Sequence, residues 1–407
     1  MRLRSYQSHV ARARDPRLFK EAAIRSAERS ESMTIDRIDV GVLKPDETDR
    51  ETLLGLAYAS WDAYHPFPTN DTKWYTLDGF DWNAPFGWEP EEDGLRGHLF
   101  MSPDNSTALV TFKGTTVSGN GLQDSLASSS KKDKYNDNLL CSCCCADVLF
   151  ARMDHPCHCS LGGNRCSNVC LTASLLSEHS YYAQATVVMS KFVAMYPDTT
   201  NWWATGHSLG GGLASLVGQT FGFPTVTFES IPERLAAERL HLVTSNTMSH
   251  EVPVVHVYND ADPIAMGTCN GPWSFCTRAG FAFESKCRTG KSIVYNTSST
   301  SARDKLVRLN DTLAMTLKGR PNPVAAHRLA YILSVLQDET REVPVARVQG
   351  ECQVCQTHVI RLIIPDKIAG LWVVVLWRVP GTSGPRRSSG IQDMVDHMEK
   401  QYCGCSQ

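Results

Sequence analysis

The pentapeptide Gly206-His207-Ser208-Leu209-Gly210 constrains this chain more than any other stretch. It fits G-x-S-x-G, a turn in which small residues let a strand reverse sharply into a helix and hold a serine oxygen exposed at the bend. The string alone says little, because a chain of 407 residues carries one by accident in roughly one case in seven. Its surroundings carry the weight. WWAT ahead of it reads as a strand, and Gly211, Gly212, Ala214 and Ser215 behind it allow a helix to pack closely.

The flanking pattern continues the same way. Strands are predicted at Thr107–Phe112, Thr199–Thr205, Pro224–Glu229 and Pro253–Tyr258, with helices at Leu209–Phe221 and Ser174–Tyr196. A capping box at Thr48-x-x-Glu51 opens another helix carrying Leu53, Leu54, Ala57, Tyr58, Trp61 and Tyr64. Alternation of this kind predicts an α/β fold with a mostly parallel central sheet flanked by helices, whose active site gathers at the carboxyl ends of the strands. The chain is 42% hydrophobic and 20% charged, which excludes global disorder. Its net charge of -3 gives no basic field for phosphates, so no nucleic-acid partner is expected.

A serine hydroxyl is a weak nucleophile at neutral pH and needs a histidine to take its proton, which in turn needs a carboxylate to fix its tautomer. For the acid, Val254 to Tyr258 runs into Asn259-Asp260-Ala261-Asp262-Pro263, and Pro263 favours Asp262 over Asp260 by stiffening the backbone beside it. The histidines that follow are His327, His358 and His397, and His327 is preferred because it opens the apolar run HRLAYILSVL behind a Pro-rich loop. The catalytic candidates are therefore Ser208, Asp262 and His327, with Gly206, His207 and Gly210 forming the elbow. The oxyanion needs one N–H from the residue after the nucleophile, Leu209, and one from the strand-to-loop corner Gly114-Thr115, with Thr115 as donor. This chemistry calls for no cofactor and no metal.

Fifteen cysteines are many for a reducing compartment, and eight lie within Cys141–Cys170. Cys141, Cys143, Cys144, Cys145, Cys157, Cys159, Cys166 and Cys170 are expected to form disulfides, up to four, in preference to a zinc site, since the spacing lacks clean C-x₂-C pairs. Sequons at Asn70, Asn105, Asn296 and Asn310 agree with a secretory route and are candidate glycosylation sites. Three segments are expected: a polar, basic arm over 1–44 without an apolar run, a catalytic domain over 45–340 with the Cys-rich insertion at 141–170, and a divergent tail over 341–407. Ile368–Trp377 is too short to span a bilayer and reads as a buried strand or an aggregation-prone tail. Val117–Ser130 is a candidate lid over the acyl groove.

The stretch TGHSLGGGLASLVGQTFGFPTVTFESIPERLAAERLHL from Thr205 resembles the autophagy-related fungal vacuolar lipases, a branch of the class 3 lipases in the α/β-hydrolase superfamily. The likeness extends to WNAPFGWEPEEDGLRGHLF, KKDKYNDNLLCSCCCA, HVYNDADPIAMGTCNG and AGFAFESKC, covering roughly residues 46 to 296. It implies triacylglycerol lipase and phospholipase activity on membrane lipids, association with the membrane surface, and lysis of autophagic bodies and multivesicular-body vesicles in the vacuole lumen. The family's nucleophile falls on Ser208 and its acid on Asp262, and His327 is matched through His327-Arg328 and the helix behind it. Family members begin with a single signal-anchor helix, which has no counterpart in the polar start of this chain, and the tail from Thr357 matches nothing in the family. A soluble carboxylesterase or feruloyl-esterase-like enzyme, and a non-catalytic zinc-binding adaptor, are the rival readings. The oligomeric state is left open.

Overall fold

A computed structural model describes residues 2–29, 33–67, 74–89, 94–116, 130–146, 156–162, 165–243, 247, 251–271, 274–297, 323–350 and 352. Twelve strands are present among them: β1 Ser5–Ala13, β2 Arg37–Pro45, β3 Asp81–Phe86, β4 Gly97–Met101, β5 Thr107–Phe112, β6 Ser160–Gly162, β7 Arg165–Cys166, β8 Asn201–His207, β9 Thr225–Phe228, β10 Val254–Asn259, β11 Lys291–Tyr295 and β12 Arg347–Val348. Eight of these make one sheet in the order β12-β11-β10-β9-β8-β5-β4-β3. The five central strands β5, β8, β9, β10 and β11 pair parallel, and antiparallel β4, β3 and β12 close the two edges. This is the mostly parallel sheet that the sequence predicts, with helices on both faces.

The central strands read as unbroken apolar runs because both of their faces are covered. Ala108, Val110, Phe112, Trp202 and Ala204 enter one core, beneath the helices Leu209–Phe221 and Tyr181–Met195. Leu109, Trp203, Val226 and Val257 enter the other, beneath the helices Arg50–Asp62 and Leu329–Leu336. The helix Arg50–Asp62 starts one residue later than the capping box implies. Asp49 is the N-cap and accepts the Thr52 amide at 2.9 Å, while the Thr48 hydroxyl turns back to Asp46 Oδ1 at 2.6 Å. The single helix expected over Ser174–Tyr196 is two, Asn168–Leu175 and Tyr181–Met195, because the Tyr181 amide bonds Asn136 Oδ1 at 2.7 Å and restarts the helix after a turn.

The basic start of the chain is no solvated arm. β1 and β2 form an antiparallel pair, and the helix Arg17–Arg29 between them buries Phe19, Ala22 and Ala23 at i, i+3 and i+4. The hairpin is tied to the sheet by Trp203 Nε1 donating to Leu43 O at 2.8 Å and by the Leu43 amide donating to Asn201 Oδ1 at 2.9 Å. Its arginines are themselves partly packed, Arg12 over the Phe223 ring and Arg37 donating to Leu242 O at 2.7 Å, which charge counting alone does not reveal. No helix of the described residues is long and apolar enough to cross a membrane. Residues 117–129 of the candidate lid Val117–Ser130, Asn70, Asn310, His358, His397 and Ile368–Trp377 lie outside the described residues, and Ser130 opens the helix Ser130–Cys141; Asn105 and Asn296 are exposed.

The cysteine insertion holds three disulfides, Cys144–Cys166, Cys145–Cys157 and Cys159–Cys170, where up to four were expected, and Cys141 and Cys143 remain thiols. The sulfurs of Cys145, Cys157 and Cys159 lie within 4.8 Å of one another, but all three are oxidised and offer no thiolate to a metal. Two further bridges join Cys269–Cys276 and Cys287–Cys352. The last spans 65 residues and fastens the segment of β12 to the sheet edge, where Gln349 accepts the Arg288 amide at 2.8 Å. Closing a loop of that length restricts the unfolded chain by about 4 kcal/mol in the chain-entropy picture. Cys352→Ser is expected to lower stability in chemical denaturation by about 2–4 kcal/mol, and an unchanged unfolding midpoint would contradict this role for the bridge.

Candidate active site

The elbow lies where β8 meets the helix Leu209–Phe221. Ser208 has φ 58° and ψ -125°, in the left-handed half of conformational space that costs a non-glycine residue about 1–3 kcal/mol. Backbone bonds hold it there: its amide donates to Phe228 O at 3.1 Å, and its carbonyl accepts the amides of Gly212 at 3.1 Å and Ile231 at 3.3 Å. The helix can begin this close to the sheet only because Gly210 lacks a side chain, since a Cβ there would stand 2.1 Å from the carbonyl oxygen of Phe112 on β5.

Three of the expected residues come into line at the carboxyl ends of the parallel strands. Ser208 Oγ lies 2.8 Å from His327 Nε2, and His327 Nδ1 lies 2.7 Å from Asp262 Oδ2. Asp262 is fully buried on the loop after β10, and its Oδ1 accepts the Ile264 amide at 2.8 Å. Burial pushes its carboxyl upward, but His327 and the hydrogen bonds from His327, Glu229 and the Ile264 amide outweigh that and hold it below the usual carboxylate range. An ionised Asp262 takes the Nδ1 proton of His327 as a hydrogen bond, so Nε2 is left as the acceptor for the serine hydroxyl. The competing carboxylate, Asp260, is exposed and accepts the Thr297 amide at 2.8 Å. His327 sits at the joint between the short helix Pro323–His327 and the helix Leu329–Leu336.

The corner Gly114-Thr115 packs directly on the elbow. A Cβ on Gly114 would meet His207 O at 2.4 Å and Ser208 Cβ at 3.2 Å, so the strand-to-loop turn can approach the nucleophile only as glycine. Thr115 Oγ1 and Asp137 Oδ2 share a 2.6 Å hydrogen bond, and burial raises the Asp137 carboxyl to about 8. Beside it the buried Lys113 ammonium pairs with Asp133 at 3.0 Å, and Asp133 also accepts the Thr116 amide at 2.9 Å and the Tyr181 hydroxyl at 2.9 Å. These bonds fix the corner from below.

Sequence reasoning missed the shell around these residues. His207 Nε2 donates to His327 O at 2.8 Å, so its Nδ1 is the acceptor for the Tyr64 hydroxyl at 2.7 Å, which itself accepts the Gly114 amide. One chain of bonds thus links the oxyanion corner, the elbow and the backbone of the histidine. Behind Asp262 lies Glu229, fully buried at φ 41° just after β9 and hydrogen-bonded to the Asp262 carboxyl. Tyr64 carries no signal beyond its place on an amphipathic helix. Glu229 is detectable as a carboxylate that ends the apolar run TVTF at the same sheet edge as Ser208.

The family model for lipase (class 3) matches residues 109–228, which include Ser208 and the Gly114-Thr115 corner. The candidate lipase ATG15 of Cryptococcus neoformans var. neoformans serotype D (strain B-3501A) is 41% identical over 368 residues, covering 87% of this chain and 65% of that protein. The candidate lipase ATG15 of Mycosarcoma maydis is 44% identical over 306 residues, covering 72% of this chain and 57% of that protein. The chain thus spans less than two thirds of the length of these relatives. Among solved structures, the Lip2 lipase of Yarrowia lipolytica overlaps 60% of this chain and 80% of its own with 14% identity and a TM-score of 0.33, a slight likeness.

Burial, and next the charge on His327, lower the His207 imidazole to about 3. Its folded value lies below the ordinary histidine value, so the unfolded chain binds its proton first, and the stability owed to a neutral His207 is present above about 6.5 and lost as pH falls toward 3. His207→Gln keeps a donor and an acceptor but cannot ionise. The stability gap between wild type and His207→Gln is expected to shrink by roughly 1 kcal/mol for each pH unit below about 6.5, and a gap constant with pH in denaturation experiments would contradict the neutral buried imidazole.

Proposed function

The chain belongs to the class 3 lipases, and on that premise we propose that it hydrolyses carboxylic esters of membrane and storage lipids through Ser208, His327 and Asp262. The observation that carries this reading is the unbroken line of hydrogen bonds from Ser208 Oγ through His327 to Asp262, at a serine held with positive φ on an elbow. His327 Nε2 takes the proton of Ser208 as Oγ attacks the acyl carbonyl, and Asp262 stabilises the imidazolium that forms. The N–H groups of Leu209 and Thr115 receive the negative oxygen of the tetrahedral intermediate, and removing one such donor typically costs on the order of 10² to 10³ in turnover. The C–O bond to the alcohol then breaks, and His327 returns the proton to the departing oxygen. Water repeats the cycle on the acyl-serine and releases the fatty acid, so atoms and protons balance without a cofactor.

We assign phospholipids and triacylglycerols as the substrates, and the vacuole lumen and multivesicular-body membranes as the place of action. The support is the class 3 lipase match and the ATG15 name carried by the relatives. In that setting the enzyme would open vesicles delivered by autophagy, and the disulfides suit an oxidising lumen.

Wild type and Ser208→Ala compared on long-chain phosphatidylcholine vesicles, a triacylglycerol emulsion and a short soluble ester, at acidic and neutral pH, test this reading. The expected result is release of long-chain fatty acid by wild type, rising at the lipid surface, and a loss of at least about 10⁴-fold in Ser208→Ala. Hydrolysis confined to the soluble ester would replace the lipase with a carboxylesterase. Equal behaviour of the two proteins would remove Ser208 from the chemistry.

A further inference from the structure

We propose that Glu229 is a positioning residue, a protonated carboxylic acid that donates a hydrogen bond to Asp262 and thereby fixes the carboxylate that orients His327. The inference rests on the reading of Ser208, His327 and Asp262 given above.

Glu229 and Asp262 come from adjacent strands, the first just past β9 and the second on the loop after β10, and neither side chain is exposed. Their carboxyl groups are hydrogen-bonded to each other. A carboxylate has only acceptor oxygens, so such a contact exists only if one of the two carries a proton. The partners decide which. Asp262 already accepts His327 Nδ1–H at 2.7 Å and the Ile264 amide at 2.8 Å, the surroundings of an ionised group. Glu229 Oε1 accepts the backbone amide of Asn259 at 3.0 Å and its side-chain amide at 2.8 Å. The other oxygen, Oε2, holds only the longer, 3.3 Å branch of the Asn259 amide, so the hydroxyl of the acid falls on that oxygen, directed to Asp262. The titratable groups facing the pair are Asp262, His327, His207 and the Tyr331 phenol. Burial first, then the charge of Asp262, raises the Glu229 carboxyl well above its ordinary range, while Asp262 stays below its own.

Backbone geometry supports a reason for glutamate at this position. Glu229 has φ 41°, a conformation that side chains disfavour and glycine tolerates. The strain is retained together with a carboxyl buried against the acid of the triad. A neutral donor there does two things: it anchors the Asp262 oxygens against rotation away from His327, and it avoids a second negative charge next to Asp262 in a dry site.

The test compares Glu229→Gln and Glu229→Leu in the full chain, with Ser208→Ala as reference. Glutamine can accept from Asn259 and donate to Asp262, so Glu229→Gln is expected to keep kcat on a long-chain ester within about threefold of wild type. Glu229→Leu lacks the donor and is expected to lose about 10- to 100-fold in kcat, the scale of one hydrogen bond to a charged group, with KM little changed. Infrared difference spectra of wild type minus Glu229→Gln at pH 7 are expected to show a protonated-carboxyl C=O stretch, and Ser208→Ala to retain it. The difference spectrum isolates Glu229 from Asp62 and Asp137, which burial also raises to about 8. Absence of that band, a Glu229→Gln variant as impaired as Glu229→Leu, or a fully active Glu229→Leu would each overturn the proposal. If Glu229→Leu does not fold, the infrared result and Glu229→Gln still decide. The infrared measurement needs no turnover, so hydrolysis that survives in Ser208→Ala would defeat the lipase reading alone.

Discussion

The 2.8 Å contact between Ser208 Oγ and His327 Nε2 joins residues 119 positions apart, and the rest of the molecule is arranged to keep it. Five parallel strands bring the elbow, Glu229, the Asp262 loop and the oxyanion corner to one edge of the sheet. That edge is where a parallel sheet leaves loops free to diverge while their bases stay fixed by the ladder. The nucleophile is rigid because its neighbours have no room to move: Gly210 lies against β5 and Gly114 against the serine itself. A loose elbow would let the serine relax out of its positive-φ conformation, and the contact with His327 would be lost.

Around this contact the protein buries an unusual set of ionisable groups. Asp262 stays ionised, Glu229 and Asp137 are pushed toward their neutral forms, and His207 is held neutral. Each state follows from its partners. At Asp137 the nearby Lys113 and Lys134 do not outweigh burial, and buried carboxyls whose partner is another carboxyl or a hydroxyl cannot afford a charge in a dry interior. The one that meets an imidazole N–H and a backbone amide can. Lys113 and Asp133 pair at 3.0 Å beneath the oxyanion corner, where each completes the other and Asp133 has two further donors. The result is a negative charge placed at the back of the histidine.

Much of this was legible in the sequence, for identifiable reasons. The elbow, the helix Leu209–Phe221 and strands such as Thr107–Phe112 show as local patterns of glycine and apolar residues, and local patterns survive in a string. Asp262 was separable from Asp260 through Pro263, which constrains the chain beside it. His327 could be ranked but not joined to Ser208, since their meeting depends on packing of distant segments. The N-terminal strand pair is hard to read from sequence because its few buried positions, Val10, Ala13 and Val42, follow no period of two and lie among many arginines. Disulfide pairing in the insertion followed no spacing rule, and adjacent Cys144 and Cys145 reach different partners. Glu229 and Tyr64 act through other side chains, so no motif marks them.

The central claim is that the oxygen of Ser208 is the reactive nucleophile, armed by His327. Its most direct test is to treat the folded protein with a long-chain alkyl phosphonate ester, which traps an activated serine as a covalent adduct, and to locate the adduct by peptide mass spectrometry. The account predicts one modified residue, Ser208, ester hydrolysis lost in step with labelling, and labelling suppressed in His327→Ala. Hydrolysis that persists with Ser208 fully modified, or an adduct elsewhere with Ser208 intact, would contradict it.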